Sequence, residues 1–274
     1  MPHAMMDDQQ YLKKQYKNSA NLDARIRLHK LFSVNKYGWH PWVFDHFDLP
    51  AHSRILELGC GAGTLWLDNI DRIPAGWEIT LSDFSAGMLE GTRRNLEPQP
   101  QFQYKVIDAQ SIPLESSSFD AVIANHMLYH VPDRPAAFAE IRRVLKPGGT
   151  FYASTNGNQH LIEMYSLVRK FDAKLASWGR VIDPFTLENG MAQLLPWFTD
   201  TKLYRYEDCL EVTEAAPLVE YILSGWARIA LGKQEQQFRQ FVARELESHR
   251  GVFHVTLDAG LFVSVAKGDK NENE

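Results

Sequence analysis

Cysteine is scarce. The 274 residues hold two, Cys60 and Cys209, too few for a disulfide framework and in keeping with a reducing compartment. No stretch reaches the ~20 consecutive apolar residues that a membrane-spanning helix needs. The first residues lack a cationic flank followed by an apolar run, so no secretory leader is expected and the protein reads as cytoplasmic. An excess of positive charge is missing as well. Against 29 Lys and Arg stand 34 Asp and Glu, a net charge of −5. That balance supplies no global field for nucleic-acid phosphates or an anionic lipid surface, so neither partner is expected. Internal repeats are absent, and only the polar tail 267–274 reads as disordered. What remains is ordinary for a folded chain: 45% hydrophobic and 23% charged residues exclude wholesale disorder.

The pattern divides the chain. Residues 1–50 read as a helical lid, with Leu22, Ile26, His29 and Leu31 on one mixed face. Trp39, Trp42, Val43, Phe44 and Phe47 form a second, strongly apolar one, with Pro41 in its first turn. From Ser53 the chain alternates between short apolar runs and helical segments. Runs at 54–58, 79–82, 102–107, 119–124 and 150–154 are separated by helices near 64–73, 85–96 and 135–144. Strand, helix, strand at this spacing means parallel strands with crossover helices. Such a sheet is covered on both faces, hence near-continuous apolar strands. Residues 51–156 are thus read as a Rossmann-like core. Helical patterns fill 157–250 around one further strand at 203–210. Residues 251–266 read as a closing antiparallel hairpin turned at Asp258-Ala259-Gly260. The fold class expected is α/β, a doubly wound, mostly parallel seven-stranded sheet with an antiparallel C-terminal strand.

Chemistry concentrates where the first strand ends, at Glu57-Leu-Gly59-Cys-Gly61-Ala-Gly63. Glycines let the backbone turn sharply and come close to a ligand, and open parallel sheets bind ligands beyond the carboxyl ends of their strands. The dinucleotide fingerprint Gly-x-Gly-x-x-Gly is not met, since Thr64 stands three residues past Gly61. The phosphate loop Gly-x-x-x-x-Gly-Lys-Ser/Thr is also missing.

The string Glu57-x-Gly59-x-Gly61-x-Gly63 instead resembles the first motif of class I S-adenosylmethionine-dependent methyltransferases. Asp83, Asp108-Ala109, Asn125–Asp133 and Arg143–Gly149 follow in that family's order. The resemblance spans residues 53–155 and leans toward the small-molecule group that includes ubiquinone and menaquinone C-methyltransferases. It implies S-adenosyl-L-methionine as cofactor, S-adenosyl-L-homocysteine as product and a small apolar or aromatic methyl acceptor, with methylation at oxygen, nitrogen or carbon. It implies cofactor contacts at Glu57, Gly59, Cys60, Gly61, Gly63, Asp83, Phe84, Met88, Asp108, Ala109 and Asn125. Asp83 would accept the ribose hydroxyls, Phe84 and Met88 would lie against the adenine, and Asp108 would read its amino group. Tyr16 would cover the cofactor, and Arg27 would pair with its carboxylate through its planar fork. His126 and His130, on the loop after the fourth strand, are the candidate general bases.

The family members that methylate base amines or glutamine carry Asn/Asp-Pro-Pro-Tyr/Phe at that loop, whereas this chain has Asn125-His-Met-Leu128. No carboxylate cluster announces a metal. Trp178, Phe185, Trp197, Phe198, Tyr221 and Trp226 are expected to wall the acceptor pocket. A monomer or homodimer is expected. The competing readings are an NAD(P)-dependent oxidoreductase, a non-catalytic cofactor-binding partner of the same fold, and an RNA or protein methyltransferase.

Overall fold

The computed structural model describes residues 20–96, 99–178, 184–225 and 227–267. Seven strands form one sheet: β1 Arg54–Leu58, β2 Glu78–Asp83, β3 Phe102–Val106, β4 Phe119–Asn125, β5 Leu145–Asn156, β6 Phe198–Val212 and β7 Phe253–Ala266. Their order is β3-β2-β1-β4-β5-β7-β6. β1 pairs in parallel with β2 and β4, β2 with β3, and β4 with β5, while β7 runs antiparallel to β5. The helices are α1 Ala20–Phe32, α2 Trp39–Phe44, α3 Thr64–Leu67, α4 Ala86–Leu96, α5 Arg134–Val144, α6 Ile162–Phe171, α7 Gly190–Leu194, α8 Ala215–Leu223, α9 Ala227–Leu231 and α10 Glu235–Ser248.

Two compact units emerge. One comprises residues 37–157, 183–206 and 259–274 and holds the sheet's parallel half. Every residue of β1 after Arg54 is buried, as a strand covered on both faces requires. One core layer gathers Val43, Phe44, Trp66, Trp77 and Ile79, and the other gathers Val122, Phe138, Ile141, Phe151 and Phe198. Each such buried aliphatic or Phe side chain contributes on the order of 1.5–3 kcal/mol. The other unit comprises residues 1–36, 158–182 and 207–258. There Leu28 of α1, Leu218 and Ile222 of α8, Phe238 and Val242 of α10, and Val255 share a core. Glu163 ties α6 to β7 by accepting from Thr256 N at 2.8 Å and Thr256 Oγ1 at 2.6 Å.

Several expectations need correction. Residues 37–50 fold with the sheet unit, because Val43 and Phe44 of α2 are buried against Trp66 and Trp77. Residues 183–206 also belong to that unit. The expected hairpin is instead one uninterrupted strand, β7. Gly260 does not turn. A Cβ there would lie 2.6 Å from Tyr204 O, so the missing side chain admits close strand approach rather than a reversal. Contacts of Thr201 Oγ1 with Ser264 Oγ (3.0 Å) and of Thr199 Oγ1 with Val265 O (3.4 Å) set β6 antiparallel to β7. β6 is far longer than the expected 203–210. Within the helical pattern expected over 157–250, the chain breaks between α9 and α10 at Gly232, where φ is +49°. Phe185 and Phe198 are core residues packed with Phe138, Phe151 and Phe262, not pocket walls. Trp197 packs against the same layer and Tyr221 against the core of the other unit. Trp226, the Trp178 side chain and the tail from 268 lie outside the described residues.

Candidate functional site

β1 hands over to α3 through Gly59, Gly61 and Gly63, with φ of +70°, +57° and +75°, the left-handed region that favours glycine. Space is lacking too. A Cβ on Gly59 would meet Met127 Cβ at 2.8 Å, and one on Gly63 would meet Thr92 Cγ2 at 2.7 Å. α4 holds the turn from behind: Thr92 Oγ1 donates to Gly61 O at 2.5 Å and Asn95 Nδ2 to Ala62 O at 3.0 Å. In front, both oxygens of Asp83, the last residue of β2, accept backbone amides. Gly61 N reaches Oδ2 at 3.1 Å and Ser85 N reaches Oδ1 at 2.8 Å. Burial pushes the Asp83 carboxyl up, and the Ser85 and Gly61 amides oppose it.

Glu57 is buried beneath this turn, 2% exposed, and its Oε2 accepts the Trp66 indole N–H at 2.6 Å. Burial raises its pKa to about 7, with the Trp66 bond lowering it and the Asp83 charge raising it further. Because the folded pKa lies above that of the unfolded chain, this group favours folding most below about 4.5. That contribution is lost as pH rises through about 7. Glu57→Gln keeps an acceptor for Trp66 and removes the ionisation. Urea midpoints of the two proteins are therefore expected to diverge between pH 5 and pH 8 in favour of the variant, and parallel midpoints would refute the shift. Cys60 is also buried, with its thiol pushed well above the ordinary range by burial and by Glu57 and Asp83. It packs; it is no nucleophile.

The strand ends bring the remaining predicted residues to one rim. Phe84 follows Asp83 with 44% of its surface exposed, whereas Met88 and Ala109 are buried. Asp108 Oδ1 accepts Gln110 N at 2.9 Å. Asn125 ends β4 opposite Ser154 of β5, and its Oδ1 accepts the Ser154 hydroxyl. Ser154 Oγ in turn accepts His126 N at 3.0 Å, fixing His126 at φ +52°. The His126 ring lies 5.0 Å from that of Trp39, which is 5.4 Å from Tyr206 and 5.2 Å from Trp42. His130 sits in the next turn, its ring 4.5 Å from Tyr129. Arg27 is exposed on α1, in the other unit, and Tyr16 lies outside the described residues.

Sequence reasoning missed Ser154, Thr92, Asn95 and the partners of His126. It also missed His40, whose Nδ1 pairs with Asp68 Oδ2 at 2.6 Å and whose Nε2 lies 3.4 Å from Thr64 Oγ1. No sequence spacing announces these contacts. They exist only once β4 is paired with β5 and α2 is laid beside α3.

A groove of about 360 Å³ lined by Arg54, Glu78, Lys105 and Phe119 lies at the other end of the sheet. These include the first residues of β1, β2 and β4, so it is not the strand-end crevice. Among the described residues, no group of three His, Cys, Asp or Glu is arranged to hold a metal ion. Likewise no described helix is long and apolar enough to cross a membrane.

This rim lies at the carboxyl ends of the parallel strands of a Rossmann-like sheet. Residues 56–153 match the methyltransferase domain family. A demethylmenaquinone methyltransferase of Clavibacter sepedonicus is 30% identical over 203 residues, 74% of each chain. A ubiquinone biosynthesis O-methyltransferase of Xanthomonas oryzae pv. oryzae is 36% identical over 42% of this chain and 47% of its own. For several curated relatives the matched region spans less than half of their length. The solved structure of Haemonchus contortus phosphoethanolamine N-methyltransferase 2, with phosphomonomethylethanolamine and S-adenosylhomocysteine bound, superposes with a TM-score of 0.58 at 19% identity. That match covers 93% of this chain and 59% of the other. The chain belongs to the class I S-adenosylmethionine-dependent methyltransferases, and its family cofactor is S-adenosylmethionine.

Proposed function

We propose that the protein transfers the methyl group of S-adenosylmethionine to an oxygen, nitrogen or carbon of a small apolar or aromatic molecule. The observation that carries this reading is the convergence of a left-handed glycine turn, Asp83, Phe84 and Asp108 on one rim, beside an aromatic group built from Trp39, Trp42, Tyr206 and His126. The fit to the nucleoside is chemical. Asp83 retains acceptor capacity beyond its two amide bonds for the ribose hydroxyls. Phe84 brings an aromatic ring to the rim, and Asp108 and the backbone of Ala109 suit the adenine edge. The relatives named for ubiquinone and demethylmenaquinone chemistry favour a quinone-like ring as acceptor, and an aromatic wall suits such a ring.

When bound, the cofactor supplies an activated methyl on a sulfonium, so the chain's own residues have mainly to align and shield. Asn125 lines the path at the end of β4. His126, anchored by Ser154, takes the acceptor's proton where the acceptor is a hydroxyl or an activated carbon. His130 is the second candidate on that loop.

Calorimetry is expected to give micromolar S-adenosylhomocysteine binding and no NAD binding; the reverse would return the oxidoreductase. Asp83→Ala is expected to weaken S-adenosylhomocysteine binding by ~1–3 kcal/mol, the value of charge-assisted hydrogen bonds. An unchanged Kd would remove Asp83 from the site. A panel of phenols, quinols and amines with methyl-labelled cofactor tests transfer itself, and total absence of product would favour a non-catalytic binder.

A further inference from the structure

The rim is acidic: Asp83 ends β2 and Asp108 follows β3 by two residues, with Glu57 buried beneath the glycine turn. Those groups suit hydroxyls, amines and a sulfonium, yet the cofactor also ends in a carboxylate, which none of them receives. The strand order gives its location. With adenine at the end of β3 and ribose at the end of β2, the rest of the molecule must run over β1 toward β4. Three inter-strand spacings of about 4.8 Å separate β3 from β4, so the path is ~14 Å long. It passes the glycine turn and the residue that follows it, Thr64.

There the structure places one basic side chain. His40, on α2, has Nδ1 2.6 Å from Asp68 Oδ2, which puts a proton on Nδ1 and fixes the ring. Its Nε2 is thereby aimed at Thr64 Oγ1, 3.4 Å away. The ring is held in place while 23% of the side chain stays exposed. Its neighbour Trp39 touches His126 at the end of β4, so α2 bridges from the glycine turn to the loop where the acceptor is expected. The Nε2 edge and the Thr64 hydroxyl, 3.4 Å apart, are spaced to face the two oxygens of a carboxylate.

We propose that His40, oriented by Asp68 and acting with Thr64, binds the carboxylate at the amino-acid end of the cofactor. Nε2 faces one oxygen and the Thr64 hydroxyl donates to the other. Asp68 is a positioning residue that acts through the ring. His40 thereby takes the role that the family resemblance implies for Arg27, and the proposal rests on the cofactor orientation proposed above.

The test compares two ligands by calorimetry on the full chain: S-adenosylhomocysteine, which carries the amino-acid end, and 5′-methylthioadenosine, which lacks it. His40→Ala is expected to weaken S-adenosylhomocysteine binding ~10-fold or more, as loss of a charge-assisted hydrogen bond implies. Methylthioadenosine should bind as in the wild type, which also shows that the variant is folded. His40→Gln, which keeps a donor near the Nε2 position, should recover part of the loss, and Asp68→Asn should lose affinity for the longer ligand alone. Equal weakening of both ligands would make His40 structural and overturn the proposal, as would no weakening of either. A selective loss in Arg27→Ala with none in His40→Ala would move the carboxylate to Arg27. Failure of the wild type to bind either ligand would instead overturn the cofactor reading itself, and this proposal with it.

Discussion

Valine at position 63 is expected to reduce S-adenosylhomocysteine affinity at least ~100-fold and to destabilise the fold by ~2 kcal/mol or more, the cost of left-handed backbone plus overpacking. The reasoning is steric at two levels. Gly63 has φ +75°, where a β-branched residue is strained. Its Cβ would also stand 2.7 Å from Thr92 Cγ2 and 3.1 Å from Leu96 Cδ1, so the turn and α4 must part. Parting them removes the Thr92 and Asn95 bonds to the carbonyls of Gly61 and Ala62, and with them the approach of Gly61 N to Asp83. Gly91→Ala, in the interior of the same helix and with no atom within 4 Å of the added Cβ, is the matched control. It is expected to stabilise by ~0.5–1 kcal/mol through helix propensity and leave affinity unchanged. Urea denaturation and calorimetry on both variants give the comparison. Wild-type affinity in Gly63→Val would show that the ligand does not use this turn.

The second large effect concerns turnover. His126→Asn is expected to lower kcat ~100-fold or more if His126 is the base, the usual contribution of a positioned general base. Asparagine tolerates φ near +52°, so the backbone bond from position 126 to Ser154 should persist and the folded state be retained. The Kd for S-adenosylhomocysteine should therefore stay within ~3-fold, because the interaction lost is realised at the reacting proton. The rate with a labelled methyl donor, measured beside that Kd, separates the cases. A kcat equal to wild type would leave His126 as a wall beside Trp39 and shift attention to His130. Parallel losses in rate and affinity would make it a structural anchor of the loop.

The core was legible because its signals are local. Apolar runs such as Arg54–Leu58 cannot be solvent-facing strands, and the glycines at 59, 61 and 63 mark a tight turn with left-handed backbone. Asp83 and Asp108 follow from the same rhythm, since a strand end is where a polar residue first meets solvent. Beyond Asn156 the local signals mislead. Asp258-Ala-Gly260 reads as a turn, yet Gly260 is extended, and its lack of a side chain serves Tyr204 O on the neighbouring strand. Phe185 and Phe198 read as pocket aromatics because they sit among helical patterns, but β6 pairing delivers Phe198 to the core, and the Thr155 hydroxyl, donating to Phe185 O at 2.7 Å, holds Phe185 there beside Phe262. The contact of Trp39 with His126 and the His40–Asp68 pair escaped for a related reason. Each joins segments that only tertiary packing brings together, and neither residue's type or spacing distinguishes it from core or surface.

Thr92 and Asn95 stand three positions apart on α4, one helical turn, and each grips a different carbonyl of the glycine turn. The loop's shape is thus inherited from a helix that begins more than twenty residues downstream. Transplanting Glu57–Gly63 alone into another parallel sheet would carry the letters and leave the conformation behind. The smallest portable donor-site cassette is residues 54–96, and any chimera or directed-evolution library that cuts inside it will be breaking a latch.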